Sequence, residues 1–282
     1  MINFLHTFQP QPVLISFGSI QIFWYGLFIV SGILAAILIA LKLAGYYNFK
    51  KNVIFDLFFW LIIGGIIGAR IYHIFLELPF YIKNPLDIFK IWQGGLAIHG
   101  AIIVGLIIVY IFAKKEKVNF FFLAAILLPG LALGQAIGRW GNYFNQELFG
   151  RPTDFSWGIP INTINRPIEY ISSKFFHPTF LYESFGNLII FLILFLIHIC
   201  IIKKNKFTNF FNFLIFAFYL ISYSVLRFFM EFIRIDKTPL VLGLRWPQVI
   251  SLAIIVLCVI LIIFKNKLRF FKITDKIETI KN

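Results

Sequence analysis

Apolar residues run almost unbroken near 21–43, 54–75, 97–112, 119–138, 179–202, 209–230 and 246–264. Runs of roughly 18 apolar residues or more mark membrane helices. The pattern therefore predicts an all-α polytopic integral membrane protein with about seven transmembrane helices. The third run is short and follows Gln93-Gly94-Gly95. It reads as a re-entrant or interrupted element, which a bilayer tolerates only where protein or a watery cavity surrounds the backbone. The longest polar connection, 139–178, carries Pro152, Pro160, Pro167 and Pro178. It is expected to be a small folded cap inserted into a single membrane domain covering 1–282. No internal repeat is visible, which disfavours an inverted-repeat transporter.

Composition supports this reading: 60% of residues are hydrophobic and 13% charged, far more apolar than a soluble domain. The net charge of +14 does not point to nucleic acid, because the lysines sit mainly in short loops. Lys42, Lys50, Lys51, Lys114, Lys115, Lys117, Lys203, Lys204, Lys206 and the six cations from Lys265 to Lys281 put 15 charges on one side. The other side has 9, and the first 20 residues have none. Cytoplasmic loops carry the excess of Lys and Arg, so the C-terminus is expected inside and the N-terminus outside. No basic segment precedes the first apolar run, so a cleaved signal peptide is not expected. Cys200 and Cys258 offer no disulfide framework or metal-ligand spacing, and no metal or cofactor is expected.

Ionisable residues within membrane segments are costly and mark functional sites. Four clusters stand out. In "GRWGNYFNQELFGR", 138–151, Arg139, Asn142, Asn145, Gln146 and Glu147 follow Gly130, Gly134 and Gly138, which recur on one helix face. Small residues there admit a neighbouring helix or a ligand. A polar helix end with Arg139 snorkelling to water is the simpler alternative, but the density of polar positions favours a binding site. In "YSVLRFFMEFIR", 223–234, helical periodicity puts Tyr223, Arg227, Glu231 and Arg234 within about an 80° arc. Glu231 is expected to neutralise one arginine, with Arg227 the deeper of the two, leaving a positive surplus for an anionic ligand. A glutamine at 231 should preserve that hydrogen bond. The third cluster is His99 among glycines in "QGGLAIHGA". The fourth is Arg70, His73 and Glu77, equally readable as a ligand cluster or an end-of-helix ion pair.

Arginine binds phosphate bidentately and glycine lets backbone N–H groups approach. The residues alone thus point to a membrane site for an anionic lipid headgroup, opening toward the outer face. A transporter or binding protein for such a ligand is the alternative. The motif at 138–150 resembles the signature of bacterial prolipoprotein diacylglyceryl transferases, Gly-Arg-x-Gly-Asn-(Phe/Tyr)-x-Asn-x-Glu-x-x-Gly. Gly138, Arg139, Gly141, Asn142, Tyr143, Asn145, Glu147 and Gly150 occupy its places. "WYG" at 24–26, "GAR" at 68–70, "GGLAIHG" at 94–100, "HPTFLYE" at 177–183 and the stripe at 223–234 extend the resemblance over nearly the whole chain. Ala101 and Ala125 depart from the family pattern, which usually has glycine and an acidic residue there.

The resemblance implies transfer of diacylglyceryl from phosphatidylglycerol to the lipobox cysteine of a preprolipoprotein. It implies a bacterial cytoplasmic (inner) membrane location, with the N-terminus and cap periplasmic. His99 is then the candidate base, and Arg139 and Arg227 receive the phosphate. Tyr25, Arg70, Asn142, Asn145, Glu147, Gly150, Tyr223, Glu231 and Arg234 are candidate substrate contacts. The charge asymmetry yields a topology test: a reporter fused after Asn282 should be active only in the cytoplasm, and a periplasmic signal would overturn the seven-span arrangement.

Overall fold

The structure, a computed structural model, describes residues 2–18, 20–203 and 208–281. Lys204, Lys206 and Asn282 lie outside the described residues, as do the side chains of Lys267, Arg269, Lys272, Lys276 and Lys281. A short helix α1 (Ile2–Thr7) and an antiparallel hairpin of β1 (Val13–Phe17) and β2 (Ile20–Phe23) precede the membrane helices α2 (Trp24–Tyr46) and α3 (Lys51–Leu76). A one-and-a-half-turn helix α4 (Leu78–Lys83) leads through two 3-10 turns to α5 (Ile98–Lys115) and α6 (Phe120–Phe144). The hairpin of β3 (Ile159–Pro160) and β4 (Phe175–Phe176) belongs to the cap. Helices α7 (Thr179–Lys203) and α8 (Asn209–Met230) follow. A last hairpin of β5 (Leu240–Val241) and β6 (Leu244–Arg245) introduces α9 (Trp246–Lys281).

Among the described residues, α2, α3, α5, α6, α7, α8 and Trp246–Asn266 of α9 are long and apolar enough to cross a membrane. The protein is an all-α polytopic membrane protein, with three two-stranded hairpins among the described residues. The third span is not interrupted: α5 is a continuous helix of 18 residues, about 27 Å long at 1.5 Å per residue. The glycines before it form a turn instead, with φ of 92° at Gly94 and 71° at Gly95, values that only glycine adopts without strain. The motif at 138–151 is helical through Phe144, so the irregular part of the cap begins at residue 145 rather than 139. The N-terminal helix and hairpin were not foreseen, because their short alternating pattern merges with the first apolar run.

Two compact units make up the chain: Met1–Leu38 with Leu128–Asn282, and Ile39–Leu127. In the first, the glycine stripe of α6 meets α2. A Cβ on Gly130 would lie 2.7 Å from the Ala36 carbonyl oxygen and 2.9 Å from Ala36 Cα. Gly134 faces Gly32, where the same addition would sit 3.3 Å from the carbonyl oxygen. The small residues thus serve helix–helix approach, the commoner use of such a stripe in a bilayer. The cap has its own core of Leu5, Tyr143, Phe149, Ile159, Ile161, Phe176 and Phe180. Gln146 ties it together, donating to Pro10 O at 2.7 Å and accepting from the Asn162 amide at 2.6 Å. His6 stacks on Phe175 and bonds Gly158 O at 2.8 Å.

In the second unit α3 packs along α5. A Cβ on Gly68 would lie 2.7 Å from Gly100 O, so the two backbones touch there. Ala101 is half-buried and Ala125 buried. The α2–α6 approach yields a ranking. Gly130→Ala pushes a methyl into backbone that cannot yield, and overpacking of this kind costs about 1–3 kcal/mol. Gly134→Ala should cost clearly less, as read by thermal unfolding in detergent; equal losses would contradict the geometry.

Candidate functional site

The polar residues of the first unit converge at the cap ends of α6, α7 and α8. Arg139 and Asn142 occupy the last turns of α6. Arg139 Nη1 donates to Asn142 Oδ1 at 3.2 Å, and Asn142 Nδ2 donates to Glu147 Oε1 at 2.8 Å. Asn145 also points to that carboxylate oxygen, at 3.5 Å. Tyr25 lies flat against Gly141, where a Cβ would come within 2.6 Å of its ring. The motif therefore folds into one hydrogen-bonded chain, with glycine at 141 because an aromatic ring occupies the side-chain position.

On α8 the helix ends at Met230, yet Glu231 keeps helical backbone angles. That continuation carries it back over Arg227, and the two form an ion pair. Tyr223 stacks on Tyr219, whose hydroxyl donates to Gln135 at 3.0 Å. Glu231 does not neutralise a single arginine. Its other oxygen sits 2.8 Å from Arg245 Nε, and Arg234 Nε is 3.9 Å away. Arg245, which the sequence offers only as a loop charge, also donates to the main-chain oxygens of Glu231, Arg234 and Asp236. It clamps the loop between α8 and α9.

Glu183 was likewise not singled out by the sequence. It lies one turn into α7, 3% exposed. Its carboxylate pairs with Arg139, stands 2.9 Å from Arg234 Nη1 and 3.7 Å from Arg227 Nη1. Arg234 is further held by Asp236 at 2.8 Å. Burial opposes the charge on Arg234, but Glu183 and Asp236 outweigh it and raise its pKa. Burial similarly opposes an ionised Asp236, and Arg234 then Arg245 hold its pKa below the usual carboxylate range. Four arginines thus meet three carboxylates, so the surplus is one charge, the same as in the bare stripe but shared among more partners.

Exposure sorts the arginines. The Arg234 side chain is 4% exposed, whereas those of Arg139 and Arg227 are each 20% exposed. Arg227 Nη1 makes no hydrogen bond within the protein. The Arg139 and Arg227 side chains are thus less enclosed than that of Arg234, although Arg227 Nη1 is itself buried, and Arg234 braces the cluster. Beside it an open cleft of about 350 Å³ is lined by Arg151, Tyr170, Arg234, Asp236, Lys237 and Arg245. Gly150, expected among the substrate contacts, is buried in a seam. Its amide donates to His177 O at 3.0 Å, and a Cβ would strike Ile233, His177 and Thr179. Its lack of a side chain joins the cap to the loop after α8.

The second unit holds Arg70 and His99. Arg70 Nε donates to Ile88 O at 3.0 Å, and Nη1 to Gly94 O at 2.7 Å and Gly95 O at 3.1 Å. Its Nη2 donates to Asp87 O. Four of its five donors are occupied by backbone, so this arginine organises the 84–95 loop and leaves little edge for an anion. His73 bonds the Tyr81 hydroxyl at 3.2 Å. Among the described residues, Glu77 forms no ion pair with Arg70 or His73, which disposes of the salt-bridge reading of that cluster. His99 lies in the first turn of α5, exposed, with its ring 5.7 Å from that of Tyr72.

The chain is similar to known proteins over most of its length. The family model for prolipoprotein diacylglyceryl transferase matches residues 12–264. Relatives carrying the name phosphatidylglycerol–prolipoprotein diacylglyceryl transferase include one from Acaryochloris marina, 43% identical over 86% of this chain and 86% of its own length. One from Synechococcus elongatus is 42% identical over 88% and 84%, and one from Finegoldia magna 41% over 94% and 99%.

The double engagement of Glu231 revises the expected effect of its amide. Glutamine has one acceptor oxygen where two guanidiniums need one each, and its NH₂ opposes the other. Removing one partner of a buried ion pair costs about 3–5 kcal/mol. Glu231→Gln should therefore lower the thermal midpoint and activity together; wild-type behaviour would show that Arg245 does not depend on this carboxylate. With the fold, the arginine cluster and the relatives all in agreement, the chain belongs to the prolipoprotein diacylglyceryl transferase family.

Proposed function

We propose that this chain transfers the diacylglyceryl group of phosphatidylglycerol to the lipobox cysteine thiol of a preprolipoprotein. A carbon–sulfur bond forms between the thiol sulfur and the terminal glyceryl carbon. The bond from that carbon to the phosphate oxygen breaks, and glycerol phosphate leaves with the electron pair. The thiol proton passes to a base. The nucleophile belongs to the substrate, so neither Cys200 nor Cys258 is required.

The observation that supports this reading is the pair of arginines, Arg139 and Arg227, whose partly exposed side chains converge on one buried carboxylate. Charge grows on the leaving phosphate in the transition state. Preoriented guanidiniums stabilise it more than they stabilise the substrate. Asn142, Asn145, Glu147, Tyr25 and Tyr223 surround that pair and are assigned to headgroup hydroxyls and to orienting the arginines. The protein resides in the bacterial cytoplasmic membrane, with the cap periplasmic, where translocated signal peptides and outer-leaflet lipid are both available.

His99 is assigned the thiol proton. A free thiol has a pKa of about 8.5 and is mostly protonated at neutral pH, and a neutral imidazole nitrogen can accept its proton. Purified protein, phosphatidylglycerol and a lipobox peptide should yield a diacylglyceryl-peptide detectable by mass spectrometry. Lipid movement without that product would mean the chain is a transporter. His99→Gln should cost about 100-fold or more at neutral pH, and the deficit should close as rising pH ionises the peptide thiol unaided. A deficit constant through alkaline pH would remove His99 from the role of base.

A further inference from the structure

We infer that Glu183 is a positioning residue for transfer, holding Arg139 and Arg227 turned toward one point so that a single phosphate can take both. The inference rests on the reading that these two arginines receive the phosphate. Glu183 comes from α7, whereas its partners come from α6, from α8 and from the loop after α8. Its side chain is 4% exposed and reaches three guanidiniums at once.

Its partners depend on it unequally. Arg234 has Asp236 at 2.8 Å and Glu231 at 3.9 Å as well. Arg227 has Glu231. Arg139 has no other carboxylate among the described ion pairs, and its remaining hydrogen bond goes to the neutral Asn142. Arg139 is also partly exposed, so without Glu183 nothing charged opposes its swing toward water. Two guanidiniums held close repel each other, and only a shared anion keeps both edges facing the same place. Before the lipid binds, that anion is Glu183.

The test compares the full-length protein with Glu183→Gln, Glu183→Asp and the double variant Glu183→Gln/Arg234→Gln. The thermal midpoint, kcat, KM for phosphatidylglycerol and direct binding of phosphatidylglycerol in mixed micelles are measured. Glu183→Gln should lose about 100-fold in kcat, the scale of a small misplacement of reacting groups, and should bind the lipid more weakly. Glu183→Asp keeps the charge but falls one methylene short, so it should retain an intermediate kcat; it also serves if the glutamine variant fails to fold. The double variant removes one positive and one negative charge. Its thermal midpoint should return toward wild type while kcat stays low. Recovery of kcat with the midpoint would overturn the proposal and reduce Glu183 to a charge balance. If wild type makes no diacylglyceryl-peptide, the transferase reading fails by itself. The lipid-binding arm then still decides whether Glu183 positions the arginines, and unchanged binding in Glu183→Gln would reject it.

Discussion

An unpaired charge in a bilayer is expensive, and the architecture at the cap end follows from that constraint. Arg139, Arg227, Arg234 and Arg245 can stand together only because Glu183, Glu231 and Asp236 are interleaved with them. Each carboxylate touches more than one guanidinium, and the guanidiniums come from different elements. The cluster is therefore a joint, fastening α6, α7 and α8 and the loop before α9 by the same groups that are proposed to face the ligand. A buried ion-pair network of this sort is poor evidence for stability in itself. It does specify geometry, because few other arrangements leave every charge answered.

The spans were legible because hydropathy over some twenty residues is a strong, local signal. So was the clustering of polar residues from 138–151 and 223–234, which interrupt apolar helices at helical spacing. Glu183 and Arg245 were not legible. Each is a single charge at a span end, where a solvated carboxylate or an interfacial arginine is ordinary, and its partners lie far away in sequence. Arg234 and Glu183, for example, are separated by 51 residues. Arg70 shows the opposite difficulty. A lone arginine inside a span reads as a ligand contact, but its donors go to backbone carbonyls of a loop that begins 14 residues later. No local pattern distinguishes an arginine that faces a substrate from one that caps a loop.

The glycines divide along the same line. Gly94 and Gly95 are there for backbone angles, and they turn carbonyls toward Arg70. Gly130 is there for the approach of α2, and Gly141 for the ring of Tyr25. The motif that marks the family thus mixes polar residues proposed for the ligand with glycines that permit the scaffold to close.

The cap core contains Leu5, and its hydrogen bonds tie Pro10 to Gln146 and His6 to Gly158, across 136 and 152 residues. During synthesis the N-terminal segment emerges first, while its partners are made only after four membrane helices have been inserted. Until then its apolar side chains have no protein to cover them, and Phe4, Phe8 and Phe17 remain exposed even in the finished fold. The membrane surface is the one apolar phase at hand to receive them. Closure of the cap is therefore a long-range event that must wait for residues 143–180, rather than a local one.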